Sequence, residues 1–191
     1  MEHVAVFRLI AGLGNPGRRY AGTRHNAGFL VLDELARRAG VEFRFDPKWN
    51  ADVAPCGGCL LMKPQTFMNL SGEAARNYAR YHRLDSAEVL VVLDDAALPL
   101  GEVRLRKSGS AGGHNGLESV LVHFATEAIP RLRVGIGTAG GALQDHVLGK
   151  FLPSEMPAVE AAVRRAADAV EYANAHGLEA AMNLYNQKTT V

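Results

Sequence analysis

Short strand-like runs alternate with helical patterns along most of the chain, and this alternation constrains the fold more than any other feature. Alternating strands and helices typically form a sheet with helices packed on both faces. A two-residue turn at Gly57-Gly58 joins two runs as an antiparallel hairpin, which makes the sheet mixed. We therefore predict a single compact α/β domain over 1–191, with a mixed, largely parallel sheet sandwiched between helices. The predicted strands are Arg8–Gly12, Val41–Phe45, Ala51–Ala54, Leu60–Lys63, Val89–Leu93, Val103–Arg106 and Leu132–Ile136.

Apolar residues at helical spacing predict three helices between these strands. They are His25–Arg38 followed by a terminating Gly40, a helix from Ser71 to about His82, and Gly116–Phe124. Ser71 is interpreted as the N-terminal cap of the second helix. The alanine-rich segment 154–187 then predicts a long helix and a short helix, separated near Gly177.

Composition narrows the possible partners and compartment. Apolar residues make up 48% of the 191 residues and charged residues 21%, a balance that supports a sizeable core and argues against general disorder. The formal net charge is only +1, so a nucleic-acid or membrane partner would have to contact a local patch. No apolar run approaches the roughly 20 residues that span a bilayer. The N-terminal residues do not resemble a secretory signal, and we expect a cytoplasmic protein with no membrane contact.

Two cysteines, Cys56 and Cys59, flank the glycine turn in the sequence PCGGC. A redox or zinc site would need a helix opening at the first cysteine or a second pair of ligands, and the sequence pattern indicates neither. We therefore interpret both cysteines as structural residues on the two sides of a hairpin turn.

The first strand runs into Gly12, Gly14 and Gly17, which spell G-x-G-x-x-G, the dinucleotide-binding fingerprint. That fingerprint requires the glycines to open a helix and an acidic residue about 20 positions further on. Here turn residues follow the glycines, and Asp46 at the end of the next strand lies 29 residues after Gly17. The pattern therefore indicates a loop at the end of a strand, in close contact with a neighbouring part of the protein or a ligand. We expect no nucleotide cofactor there.

Polar residues of the kind used in acyl transfer occur in separate loops. His25 lies at a polar loop-to-helix junction, and an imidazole can take a proton from water near neutral pH. Asp94 follows the apolar run VLVVL, where a carboxylate could orient that imidazole. The amides of Asn69 and Asn115 can donate hydrogen bonds to an oxyanion. Each residue also has an ordinary interpretation: a helix cap for the histidine, and turn formation for the others.

The sequence indicates water as the nucleophile. Ser71 is interpreted as a helix cap, and there is no G-x-S-x-G motif around a serine. The histidines lack the paired spacing that is typical of metal ligands. We therefore expect chemistry that uses neither a metal ion nor a cofactor.

Basic residues cluster on two predicted strands. Alternate strand residues share a face, so Arg104 and Arg106 point together, as do Arg131 and Arg133. Four guanidinium groups on two strands suit a phosphate clamp. A solvated strand face is the competing interpretation, and the residues alone favour it.

Four blocks of the sequence, taken in order, resemble the bacterial peptidyl-tRNA hydrolase family. They are GLGNPGRRYAGTRHNAG, KPQTFMNLSGEA, DDAALPLGEVRLRKSGSAGGHNGLES, and RLRVGIG followed by DHVLGKF, and they run from about residue 8 to residue 151. The resemblance implies a metal-independent esterase that cleaves the bond between peptide and tRNA, with peptidyl-tRNA as its partner and no cofactor.

The resemblance also implies roles for individual residues. His25 would activate the attacking water, and Asp94 would orient His25. The implied substrate-binding residues are Asn15, Tyr20, Phe67, Met68, Asn69, His114 and Asn115, and the implied tRNA phosphate-binding residues are Arg106, Arg133 and Lys107. For the aromatic residues and the methionine, ordinary core packing is the alternative.

The chain departs from the family pattern at three places. Ala97 stands where the family often has a second acidic residue, Thr138-Ala139 replaces a frequent His-Pro, and Arg106 replaces a clamp lysine. Two other functions stay open: a catalytically inactive RNA-binding module and a cofactor-dependent oxidoreductase. Retention of His25 with Asp94 favours the esterase. No uninterrupted apolar stripe is left over, so a monomer is expected.

Overall fold

A seven-stranded mixed sheet forms the centre of the protein in a computed structural model, which describes residues 7–188. Its strands are β1 (Leu9–Gly12), β2 (Arg44–Asp46), β3 (Ala51–Cys56), β4 (Cys59–Pro64), β5 (Val89–Asp95), β6 (Val103–Arg106) and β7 (Arg131–Gly135). They lie in the order β2-β3-β4-β1-β5-β7-β6. The four central strands β4, β1, β5 and β7 pair in parallel, and the remaining pairs are antiparallel. The predicted single-domain α/β fold is confirmed, except that residues 1–6 and 189–191 of the predicted span lie outside the described residues.

Helices cover both faces of the sheet. They are α1 (Ala27–Ala39), α2 (Ser71–Tyr81), α3 (Asn115–Phe124), α4 (Leu143–Leu148), α5 (Met156–His176) and α6 (Leu178–Tyr185). One apolar cluster joins the sheet to α1, α5 and α6, and the other joins it to α2 and α3. The break between the last two helices falls at Gly177, as predicted.

Strand β5 shows how the sequence produces this two-sided core. All of its residues are buried. Leu90 and Val92 belong to the cluster under α1 and α5, whereas Val91 and Leu93 belong to the cluster under α2 and α3. Successive side chains of a strand point to opposite faces, so a continuous apolar run is suited to a sheet covered on both sides. Asp94 then follows at the carboxyl end of a fully buried strand.

The glycine loop after β1 packs against the first turn of α1. A Cβ atom at Gly28 would lie 2.4 Å from the carbonyl oxygen of Val92 and 2.6 Å from the amide nitrogen of Leu13. A Cβ atom at Gly12 would lie 2.7 Å from the carbonyl oxygen of Gly28. The glycines therefore allow a close helix-to-strand approach, and α1 begins only at Ala27, well after Gly17. This context differs from that of the dinucleotide fingerprint.

Three local predictions need correction. The strand predicted at Val41–Phe45 begins at Arg44, because the Val41 N–H is used by the carbonyl of Ala36 at the end of α1. Ser71 does not cap α2: it is the first helical residue, its hydroxyl binds no backbone amide, and Leu70 occupies the cap position. The helix predicted from His25 starts as a separate 3₁₀ turn, Arg24–Asn26, before α1.

The hairpin prediction is confirmed. Cys56 and Cys59 pair across the β3–β4 turn, and Gly57 and Gly58 both have positive φ, at 54° and 87°. Both thiols are free, and burial raises the pKa of Cys59 to about 12. A thiol that stays protonated is a poor nucleophile, which agrees with a structural role.

Within residues 7–188, no helix has both the length and the apolar character needed to cross a membrane.

Candidate active site

A cleft of about 1300 Å³ opens at the carboxyl ends of the parallel strands. Every residue to which the family resemblance assigns a role lines this cleft except Lys107, and Arg104 of the basic strands also lies outside it. The loop after β1 supplies Asn15 and Tyr20, the 3₁₀ turn before α1 supplies His25, and the end of β5 supplies Asp94. Parallel strands end at the same edge of a sheet, so the fold brings together residues that are distant in the chain.

His25 and Asp94 form a direct, buried contact. Nδ1 of His25 lies 2.8 Å from Oδ1 and 2.9 Å from Oδ2 of Asp94. Burial alone would raise the pKa of Asp94, but the electrostatic attraction and hydrogen bonds of the His114 and His25 N–H groups outweigh it and hold that pKa well below its usual range. An ionised carboxylate only accepts hydrogen bonds, so the Nδ1 of His25 is the donor.

His114 is a second histidine on the same carboxylate. Its Nδ1 accepts hydrogen bonds from the backbone N–H groups of Gly116 and Leu117, each at 3.1 Å, and so caps α3. The proton must therefore be on Nε2, which donates to Oδ1 of Asp94 at 2.8 Å. With both imidazoles donating to the carboxylate, the Nε2 of His25 keeps its lone pair, and it binds no group among residues 7–188.

Asn15 has its side chain oriented by the neighbouring backbone. Its Oδ1 accepts the N–H of Met68 at 2.8 Å, while the Asn26 side chain bonds both the N–H and the carbonyl of Asn15. Because Oδ1 is occupied, the Nδ2 group is the donor left to face the cleft. Asn26 was not singled out in the sequence, and only its place next to His25 could have suggested it.

The other predicted substrate residues differ in exposure. Asn69 and Asn115 are exposed on the cleft walls, and Tyr20 is half-buried. Phe67 is 60% exposed, so core packing does not explain it, whereas Met68 is buried in the core under α2 and α3 while also lining the cleft. Their roles toward substrate stay predictions.

The basic strands lie side by side, but their arginines are not equivalent. In the antiparallel register Arg104 faces Arg133 and Arg106 faces Arg131. Arg131 is buried and donates to the carbonyls of Gly109, Ser110, Glu127 and Ile129, so its inclusion in a four-arginine phosphate clamp is wrong. With these donors in use, the Arg131 guanidinium stabilises the loops that contain Gly109 and Glu127.

Arg106 and Arg133 both line the cleft. Nη2 of Arg133 lies 2.5 Å from Oδ2 of Asp95, the residue after Asp94. Lys107 lies outside the cleft and pairs with Glu179 on α6, so its predicted phosphate contact stays a prediction.

His25, Asp94 and His114 also offer three ligand atoms within 4.8 Å of one another. A 3₁₀ turn, the end of β5 and the cap of α3 supply them, which is why chain spacing did not indicate the group. Each nitrogen-to-oxygen distance in the group is 2.8–2.9 Å, the length of a hydrogen bond. The geometry fits a proton-bridged network, in which the atoms that could bind a metal ion already bind each other.

Comparisons with known proteins identify the family of the chain. The family model for peptidyl-tRNA hydrolase matches residues 9–191. A peptidyl-tRNA hydrolase from Synechococcus sp. (strain JA-3-3Ab) is 51% identical, covering 97% of this chain and 84% of the relative. One from Akkermansia muciniphila is 47% identical, covering 95% and 97%. A crystal structure of the Acinetobacter baumannii peptidyl-tRNA hydrolase superposes with a TM-score of 0.91 at 33% identity, covering 99% of both chains. The resemblance noted in the sequence is confirmed, and the chain belongs to the peptidyl-tRNA hydrolase family of enzymes.

Proposed function

We propose that this protein hydrolyses the ester bond that joins a peptide to the 3′ end of tRNA, with His25 as general base and Asp94 as its orienting partner. The observation that carries the proposal is the free lone pair on the Nε2 of His25, inside a cleft, with Nδ1 bonded to a buried carboxylate. A base held in one tautomer by a carboxylate is the arrangement that proton transfer from water requires.

The reaction follows from these positions. Water gives one proton to the Nε2 of His25 while its oxygen attacks the ester carbonyl carbon, and Asp94 stabilises the imidazolium that forms. The tetrahedral intermediate then collapses, the bond to the ribose oxygen breaks, and that oxygen takes the proton back from His25. The products are the free peptide acid and tRNA.

The developing oxyanion needs a hydrogen-bond donor. The Nδ2 group of Asn15 is fixed by the bond between its Oδ1 and Met68, whereas Asn69 and Asn115 are exposed on the cleft walls. A pre-oriented donor requires no reorganisation during the reaction, which favours Asn15. We assign the peptide to the surface of Tyr20, Phe67 and Met68, with the exposed asparagines and His114 nearby.

The tRNA end is assigned to Arg106 and Arg133. Both line the cleft that contains His25, and arginine binds phosphate oxygens bidentately. We place the protein in the cytoplasm, where translation produces peptidyl-tRNA, and propose that it acts as a monomer, because one chain supplies every group named above.

An inactive RNA-binding module would need the basic strands alone. The hydrogen-bonded network of His25, Asp94 and His114 has no purpose in such a module, and this favours the enzyme. An oxidoreductase would need the glycine loop to open a helix, but α1 begins elsewhere.

The test is release of free tRNA from an N-blocked aminoacyl-tRNA by the purified protein, with and without a chelator. We expect hydrolysis that the chelator leaves unchanged. The second product must be the N-blocked amino acid with a free carboxylate. Absence of hydrolysis would contradict the proposed function, and loss on chelation that zinc restores would contradict the metal-independent route.

A further inference from the structure

Arg24 is a buried cation that the proposed reaction does not use. The residue is 8% exposed and immediately precedes His25. A buried charge is costly unless it is paired and hydrogen-bonded. Its burial in the 3₁₀ turn that carries His25 therefore requires partners, and its contacts identify them.

The Arg24 guanidinium binds two residues that are far from it in the chain, Ile136 and Glu155. Nη1 donates to the carbonyl of Ile136 at 3.2 Å, and both Nη groups bind the carboxylate of Glu155, at 3.1 and 2.7 Å. The guanidinium carbon also lies 4.9 Å from the ring centre of Phe151. The Arg24 hydrogen bond lowers the pKa of Glu155, which keeps that carboxylate charged.

The backbone adds a third attachment at the same place. The Arg24 N–H donates to the carbonyl of Gly149 at 2.9 Å, and Thr23 forms an isolated bridge with Lys150. The residues that Arg24 contacts thus lie on both sides of residues 137–148, which we call the α4 segment.

The α4 segment forms one wall of the cleft. Leu143, Val147 and Leu148 line it, so the wall is largely apolar. None of the residues of α4 is buried, and Leu143 and Leu148 are 49% and 38% exposed. Among the α4 residues Leu143–Leu148, Val147 alone packs, partly buried, against the apolar cluster under α1, α5 and α6. With so little core contact, the position of the helix depends mainly on how its ends are fixed.

We propose that Arg24 is a positioning residue: it clamps both ends of the α4 segment and holds its apolar face beside His25 as the surface that receives the side chain next to the scissile ester. This inference rests on the proposed function and deepens it, because it makes apolar peptide side chains the preferred substrate class. An apolar surface that contacts the substrate equally in the ground and transition states affects KM more than kcat.

The test compares two N-blocked substrates, N-acetyl-leucyl-tRNA and N-acetyl-glycyl-tRNA, in the wild type, Arg24→Lys and Glu155→Gln. We expect KM for the leucyl substrate to rise at least about fivefold in both variants, as for a lost apolar contact. KM for the glycyl substrate changes less than about twofold, and kcat for both stays within about threefold. Using both variants keeps the test valid if one of them folds poorly.

Hydrogen exchange gives a readout that is independent of activity. Amides of Leu143–Leu148 should exchange at least about tenfold faster in Glu155→Gln than in the wild type, while amides of β5 keep their protection. Equal exchange in the α4 segment would overturn the clamp. If the wild type cleaves neither substrate, the proposed function fails, and the exchange result still decides whether Arg24 holds the segment.

Arg38→Lys is the matched control. Arg38 also joins distant elements, binding Glu34 of α1 and both Asp168 and Glu171 of α5, but it forms no hydrogen bond or ion pair with the α4 segment. Its replacement should leave the leucyl-to-glycyl ratio of KM values as in the wild type. An equal rise for both substrates in the Arg24 and Glu155 variants, or the same change of ratio in Arg38→Lys, would overturn the proposal.

Discussion

At the scale of single residues, the site depends on which nitrogen of each histidine carries a proton. The cap of α3 requires Nδ1 of His114 to accept, so its Nε2 donates to Asp94. Asp94 is ionised and has a second donor in the Nδ1 of His25. The free lone pair on the other nitrogen of His25 follows from these bonds, with no further assumption about the substrate.

The pH dependence of kcat tests this assignment. A protonated imidazole cannot accept the proton of water, so kcat should fall as pH is lowered and His25 takes up a proton. Asp94 adds no second step between pH 5 and 8, because its pKa is held below the usual carboxylate range. The low-pH limb of log kcat against pH should have a slope of about 1.

Two outcomes would count against it. A rate that rises on acidification would make the group an acid in the rate-determining step. A low-pH slope near 2 would mean that a second group besides His25 must be deprotonated for activity, contrary to a single base.

At the scale of elements, the antiparallel pairing of β6 and β7 places Arg106 and Arg133 at one cleft wall. Neutralising them as Arg106→Gln and Arg133→Gln should raise KM and flatten the log–log salt dependence of tRNA binding by about 1 unit per residue. Removing the 5′ phosphate from the tRNA should raise KM in the wild type but not further in the double variant. Steady-state kinetics at several salt concentrations measure all three effects.

Arg80→Gln serves as the control for the clamp, because Arg80 is an exposed arginine of α2 outside the cleft. Arg80→Gln removes one positive charge, as each of the two clamp substitutions does, and it should leave the salt slope unchanged. Equal flattening in Arg80→Gln would mean that net charge, and not the strand pair, controls tRNA binding.

Local patterns predicted most elements because they depend on the chain's own periodicity. The wrong predictions are at residues whose structure depends on a hydrogen bond to another part of the chain. Val41 does not begin β2 because Ala36 takes its N–H, and Arg131 is not a phosphate ligand because a loop of carbonyls surrounds it. Neither carbonyl partner can be read from the spacing of apolar residues.

The sequence predicted the members of the site but few of their contacts. His25 and Asp94 are 69 residues apart, and their pairing was predicted from the place of Asp94 at the end of a strand and from the family resemblance. The bond of His114 to Asp94, the brace of Asn26 on Asn15, and the Arg24–Glu155 pair across 131 residues all depend on tertiary packing. Such side-chain bonds leave no periodic signal in a sequence.

At the scale of the whole molecule, α1 must approach the sheet closely for His25 to lie over the end of β5. Gly28→Ala would place a Cβ atom 2.4 Å from the Val92 carbonyl oxygen, and backbone atoms cannot yield cheaply there. We expect a loss of about 1–3 kcal/mol in the free energy of unfolding. Thermal unfolding should show Tm lower by roughly 2–4 °C for each kcal/mol.

The control for this prediction is Gly140→Ala, since a Cβ atom there meets nothing within 4 Å and the glycine has no positive φ. Its Tm should stay close to that of the wild type. If Gly28→Ala is equally stable, the close contact between α1 and the sheet is not what limits this position.

The central claim is that His25 supplies proton transfer and little binding energy. His25→Ala should therefore lower kcat at least about 100-fold, while the affinity for tRNA changes less than about threefold. Asp94→Asn should act through the same histidine, so its loss of kcat should not add to that of His25→Ala in the double variant. His123→Ala, at a histidine of α3 outside the cleft, is the matched control and should retain kcat.

The most direct measurement is kcat of His25→Ala on an N-blocked aminoacyl-tRNA, taken together with the dissociation constant of the same variant for tRNA. We expect a large fall in kcat with tRNA binding preserved. A variant that keeps near-normal kcat, or one that loses turnover and affinity in equal measure, would contradict the assignment of His25 as the base.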